Sequence, residues 1–127
     1  MIQYKKGVYA NLEPVMILAL LQCEKIYNKY GYPLIVTSTT DGIHSIGSLH
    51  YRGLGLDIRT RHLPIDLLEV IHTKIKLRLA SLSTSFQVIL ESTHIHIEFD
   101  QKVQYEAIQN AKAKEQEIVQ KNSRKST

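Results

Sequence analysis

Two short stretches carry the groups that could do chemistry. Ser48-Leu49-His50-Tyr51-Arg52-Gly53-Leu54-Gly55-Leu56-Asp57 offers an imidazole and a carboxylate, and His94-Ile95-His96-Ile97-Glu98-Phe99 offers two more imidazoles and an acid. Two imidazoles and one carboxylate are the set that a hydrolytic Zn2+ takes while keeping one coordination position open. His50 stands seven residues before Asp57. On a loop leading into a strand, that is enough chain to bring both round one ion at about 2 Å. Ser48 is placed to steady the loop through a backbone hydrogen bond. In a strand over His94–Phe99, period two puts His94, His96 and Glu98 on one face and Ile95, Ile97 and Phe99 on the other. The two imidazoles then lie about 7 Å apart along the strand. One of them is expected on the ion and the other beside it.

The elements that must position these groups are legible in outline. Asn11-Leu12-Glu13-Pro14 reads as a helix start, with Asn11 as the capping side chain and proline in the first turn. The helix is predicted to run from Pro14 to Lys29 and to stop at Gly31 and Pro33, with Leu18, Leu21 and Ile26 on its apolar face. Leu34–Thr37 is a short β-branched strand. Ser38–Gly47 is loop. Leu54, Leu56 and Ile58 alternate with Gly55 and Asp57, so a strand here sets Asp57 opposite the apolar residues. Gly53 and Gly55 are expected to clear space beside the ion. Leu67, Leu68, Ile71, Ile75 and Leu79 recur at helical spacing and predict a second helix, opening near Leu63–Asp66 and ending near Ala80. Phe86–Glu91 and His94–Phe99 read as an antiparallel hairpin turned at Ser92-Thr93. From Gln101 the composition turns polar, predicting a weak third helix and a disordered Lys121–Thr127.

Composition bounds the class. A chain of 127 residues, 43% apolar, is one domain with a tail and has material for a real core. The net charge of +4 and pI near 9.2 suit an anionic partner without selecting one. Interleaved aromatics and a basic helix are missing, which argues against a nucleic-acid binder. The single cysteine, Cys23, excludes an internal disulfide and reads as a small buried helix residue. His62 and His72 fall in helix or helix-approach contexts and read as packing or surface residues. No apolar run follows the charged N-terminus, and the run Val15–Leu21 is too short to span a bilayer. The expectation is a soluble protein made in the cytoplasm without a signal peptide, with no membrane or nucleic-acid partner.

The double motif Ser48-x-His50-x-x-Gly53-x-Gly55-x-Asp57 and His94-x-His96 resembles the signature of the D-alanyl-D-alanine metallopeptidase family, zinc enzymes that cut peptide bonds in peptidoglycan. Val36-Thr37-Ser38 and Asp57-Ile58-Arg59-Thr60 resemble the short phage-encoded members. The similarity spans roughly Asn11 to Asp100. It implies an α+β fold in which a small antiparallel sheet carries the zinc site between flanking helices, as in hedgehog domains and lysostaphin-type peptidases. Residues 1–100 would form the zinc peptidase domain and 101–127 a polar helix and disordered tail.

The resemblance further implies that His50, Asp57 and His96 bind Zn2+ and that His94 lies beside the reacting atoms. Relatives often place an acid three residues before the last ligand. Thr93 stands there, which leaves His94 or Glu91 as general base and Glu98 as a weaker candidate. An Arg that grips a substrate carboxylate is missing from the loop before Ser48. Arg52 or Arg59 would replace it, and Ser48, Arg52 and His44 are the candidate substrate contacts. The implied activity is zinc-dependent hydrolysis of a peptidoglycan stem peptide, as a D-Ala-D-Ala carboxypeptidase or an L-Ala-D-Glu or cross-link endopeptidase. It would act on the cell wall after release or as part of a virion. The alternative is a non-catalytic zinc-binding module of the same fold. Oligomeric state and host are not legible.

Overall fold

The computed structural model describes residues 2–8, 11–39 and 53–125. His44, Ser48, His50 and Arg52 lie outside the described residues, as does most of the predicted loop before Ser48. Five strands and three helices follow in the order β1 (Ile2–Tyr4), α1 (Pro14–Lys29), β2 (Leu34–Ser38), β3 (Gly55–Arg59), α2 (Ile65–Ala80), β4 (Phe86–Leu90), β5 (His94–Phe99) and α3 (Gln101–Lys125). The sheet order is β1-β2-β3-β5-β4. The expected α+β class holds, but the sheet is mixed rather than antiparallel. β1 runs parallel to β2, with Ile2 opposite Leu34, and α1 supplies the crossover that a parallel pair requires. The remaining pairs are antiparallel.

Both 16-residue helices cover one face of the sheet. Met16, Ala19, Leu20, Cys23 and Tyr27 from α1 meet Ile71, Ile75 and Leu79 from α2 over Leu34, Val36, Leu56, Ile58, Val88, Ile95 and Ile97. The α1 boundaries are those predicted, yet its buried face is not. Leu18 and Leu21 are exposed, and Ile26 is only partly buried against the core. Val15–Leu21 is apolar on every side, so its period is hidden. The inward stripe is set by Cys23 and Tyr27 one and two turns further on. The N-cap is Glu13, without a side-chain cap bond, and Pro14 occupies the first turn. Asn11 is not the cap.

Gly53 has a tertiary role besides its small size. Its φ is +71°, and a Cβ there would stand 3.2 Å from the Glu13 backbone nitrogen. The Glu13 N–H donates to the Gly53 carbonyl at 2.9 Å. The glycine therefore lets the start of β3 approach the N-terminus of α1.

The alternation in β5 decides which groups face outward. Ile95 and Ile97 are fully buried. Full burial of an isoleucine is worth about 1.5–3 kcal/mol. A one-residue slip would expose both and drive His94 and His96 into the core, so the register is strongly held. α3 is one helix of 25 residues and continues through Lys125. Ile108, Ile118 and Val119 on it are exposed. Among the described residues no helix is long and apolar enough to cross a membrane.

Candidate functional site

The face of the sheet turned away from α1 and α2 holds the polar cluster. Antiparallel pairing of β3 with β5 sets Gly55 opposite Glu98, Asp57 opposite His96 and Arg59 opposite His94. Five side chains then form an alternating string of acid and imidazole. Glu98 Oε2 lies 3.3 Å from His96 Nε2, and His96 Nδ1 lies 2.8 Å from Asp57 Oδ1. Asp57 Oδ2 lies 3.7 Å from His94 Nε2, which is 2.8 Å from Glu91 Oε2. The inner members are mostly shielded, with side-chain exposures of 15% for Asp57 and 17% for His96. Glu91, at the hairpin turn, is 46% exposed.

Each ring nitrogen of His96 faces a carboxylate. The hydrogen bond to Asp57 chiefly holds the imidazolium, burial opposes it, and the bond to Glu98 with the two negative charges adds to it. The group is raised from 6.5 to about 9. In the metal-free protein near neutrality His96 thus donates from both nitrogens. His94 is oriented differently. Its Nε2–H donates to Glu91, and its Nδ1 meets the Thr93 hydroxyl at 2.9 Å. Thr93, three residues before His96, therefore fixes the ring of His94.

A bulge bounds the site on the β2 side. Val36 pairs with Ile58 but Ser38 pairs with Asp57, so Thr37 is the extra residue. Its hydroxyl lies 3.4 Å from the Asp57 carbonyl oxygen. Beside Asp57 a polar cavity is lined by Lys5, Arg59, Arg61 and Thr93, among others. Arg59 was legible as a candidate. Arg61 was not, although it continues the period-two spacing of Arg59 past the strand end. Lys5 carries no local signal, because its position depends on the β1–β2 pairing.

Three carboxylates on one small face call for compensating positive charge, from imidazolium or from a cation. Oxygen and imidazole donors of this kind suit Zn2+. Of the expected ligand set, Asp57 and His96 are brought into contact, and His50 lies outside the described residues. Among the described residues alone, no group of three or more His, Cys, Asp or Glu side chains is arranged to hold a metal ion.

Among the described residues, His62, His72 and Cys23 fall where packing puts them. The His62 Nε2–H donates to the Pro33 carbonyl at 2.8 Å, and its ring lies against Tyr27 and Tyr32. His72 Nε2 lies 3.4 Å from the Val88 carbonyl oxygen. Cys23 is fully buried in the core, and burial pushes its thiol up to about 12.

Comparison of the chain with family models and with curated proteins found no match.

Proposed function

We propose that the chain is a zinc-dependent peptidase acting on peptide bonds of bacterial peptidoglycan, of the phage-encoded, cell-wall-degrading kind. The observation that carries this reading is the 2.8 Å apposition of Asp57 and His96 on the outward face of the sheet, with a second imidazole–carboxylate pair, His94 and Glu91, next to it. Asp57 and His96, with His50 as third ligand, would hold the metal. When bound, Zn2+ supplies Lewis acidity toward the scissile carbonyl.

The remaining chemistry belongs to the chain. Glu91 fixes His94 with its proton on Nε2, and that nitrogen is directed toward Asp57 and hence toward the reacting atoms. In this pair the acceptor is Glu91, whose carboxylate can take a proton from the attacking water and return it to the leaving amine. His94 keeps its Nε2–H and can donate it toward developing negative charge. Thr93 limits the ring to this orientation. Glu98 braces His96 from the far side and keeps it pointed across to Asp57.

Metal analysis of the purified protein, together with mass spectrometry of muropeptides digested with and without a chelator, tests the proposal. Stoichiometric zinc and chelator-sensitive cleavage are expected, and the His50→Ala, Asp57→Ala and His96→Ala variants should lose both. Full zinc content and full cleavage in the triple variant would refute the ligand assignment. Zinc retention without cleavage of any muropeptide would refute hydrolysis and leave a non-catalytic zinc module.

A further inference from the structure

β4 is an outer strand of the sheet, and the direction of its backbone groups can be worked out. The Glu91 N–H donates to the His94 carbonyl and the Asp100 N–H to the Ser85 carbonyl, each at 2.9 Å. Bonded and non-bonded pairs alternate along an antiparallel ladder. Gln87 and Ile89 therefore exchange bonds with Glu98 and His96, while the N–H and C=O groups of Phe86, Val88 and Leu90 point away from β5. Among the described residues one contact reaches those groups: His72 Nε2 of α2, 3.4 Å from the Val88 carbonyl oxygen. That separation is long for a hydrogen bond. The usual guards of a sheet edge are missing. Phe86-Gln87-Val88-Ile89-Leu90 carries no charge and no proline, its pairing with β5 runs without a bulge, and Ile89 is 45% exposed on the outward face. The opposite edge is guarded: β1 has three residues and is followed by Lys5 and Lys6.

We propose that β4 pairs with β4 of a second copy of this chain, antiparallel and about a two-fold axis beside Val88, so that the two sheets join into one. The outward backbone groups are self-complementary. Phe86 lies opposite Leu90 of the second copy and Val88 opposite Val88, so every outward N–H meets an outward carbonyl. A strand without charge brings no like charges together across the axis. Gln87 meets Ile89, and the two Ile89 side chains lie diagonally across the axis on the outward face, each shielding the other from water. α2 carries the second half of the match. The contact to Val88 places position 72 of that helix beside the axis. Ile65, Glu69 and Lys76 lie on the same side of α2 as His72, at helical spacing, and all three are exposed, Ile65 by 86%. An axis that turns β4 antiparallel also sets the two α2 helices antiparallel on one side of the joined sheet. Centred between His72 and Thr73, it brings Glu69 toward Lys76 of the second copy and Ile65 toward Ala80, each contact occurring twice. An extended peptide of another chain would satisfy the strand and leave this helix surface unmatched. The joined sheet carries two outward clusters on one face, with the two β5 strands about 14 Å apart. The pairing does not depend on the peptidase reading.

Sedimentation velocity of the full chain from about 1 μM to about 1 mM measures the pairing. A reversible dimer of twice the 14.5 kDa chain mass is expected. In the dimer, amide hydrogen exchange at Phe86, Val88 and Leu90 should slow at least about tenfold relative to the dilute monomer. Ile89→Lys sets a charge on the edge and should leave the chain monomeric over this range. Glu69→Lys and Lys76→Glu should each weaken association about tenfold, because the axis repeats the like-charge contact, and the double variant Glu69→Lys/Lys76→Glu should recover the wild-type constant. Both of these positions are exposed, so the charge series remains decisive if Ile89→Lys fails to fold. A monomer across the whole range overturns the proposal, and so does a dimer with fast exchange at Phe86, Val88 and Leu90. Charge reversals without effect, or a double variant no tighter than the single ones, overturn the two-fold arrangement. A dimer dissolved by Ile118→Asp on α3 and untouched by Ile89→Lys assigns the contact to that helix and overturns the β4 pairing.

Discussion

Replacing Asp57 by Asn removes a charge while keeping the shape of the side chain, and its consequences can be followed on His96. In the metal-free protein the hydrogen bond from His96 to Asp57 is the main reason the ring holds its proton up to about 9. In the variant, burial still lowers the value, and only Glu98, at 3.3 Å, supports the charged form. The midpoint should fall by more than one pH unit, toward the ordinary value of 6.5. An imidazole NMR titration of the metal-free wild type and variant reads this directly. Stability must follow. Because the folded protein binds this proton more tightly than the unfolded chain, the contribution is complete below about pH 6.5 and is lost as pH rises through about 9. The span between those values caps the effect at about 3 kcal/mol, and partial exposure of the ring reduces it to about 1–2 kcal/mol. Urea unfolding of the wild type between pH 6 and 10 should show that decline, and Asp57→Asn should flatten it. An unchanged His96 midpoint in the variant would refute the pairing. With His96 as a zinc ligand, as proposed, zinc would compete for a ring nitrogen, and adding it to the wild type at pH 7 would release protons, which dilute-buffer calorimetry would detect.

Three further outcomes follow from other parts of the molecule. Gly53→Ala forces a side chain into left-handed backbone and against Glu13, and should cost about 1–2 kcal/mol in thermal or urea unfolding. Glu91→Gln leaves His94 a hydrogen-bond partner but no charge, and should lower kcat on muropeptides by about 100-fold or more while zinc content stays at the wild-type level, an effect within the general acid–base range. Cys23, fully buried with its thiol pushed up to about 12, should resist alkylation at pH 8 in the native protein and react only at the unfolding rate.

The sequence carried some of these features and not others, for physical reasons. β5 was plain because its two periods coincide: alternate isoleucines need a core and alternate polar residues need water. Asp57 was plain for the same reason, between Leu56 and Ile58. The ends of α1 were marked by Pro14 and Gly31, but its inward face was masked by a run apolar on all sides. β1 has three residues, and its parallel pairing with β2 depends on a partner thirty-two positions away, Leu34 opposite Ile2. No local pattern encodes that, so the placement of Lys5 could not be foreseen. Gly53 was noticed for its smallness, while its positive φ and its contact with Glu13 are tertiary facts. Thr93 departs from the acid that the resemblance implies, and its hydroxyl serves the ring beside it.

The division of labour within β5 bears on how tolerant this strand is to change. Positions 95 and 97 answer to packing and positions 94, 96 and 98 to the outward cluster, so a saturation screen of six consecutive codons should return a sawtooth. Scored by protein abundance, the teeth would rise at the isoleucines; scored by zinc capture or cleavage, a second set would rise between them. Drift on one side of the strand is thus insulated from the other, and new chemistry could be tried on the wet side without risking the dry one.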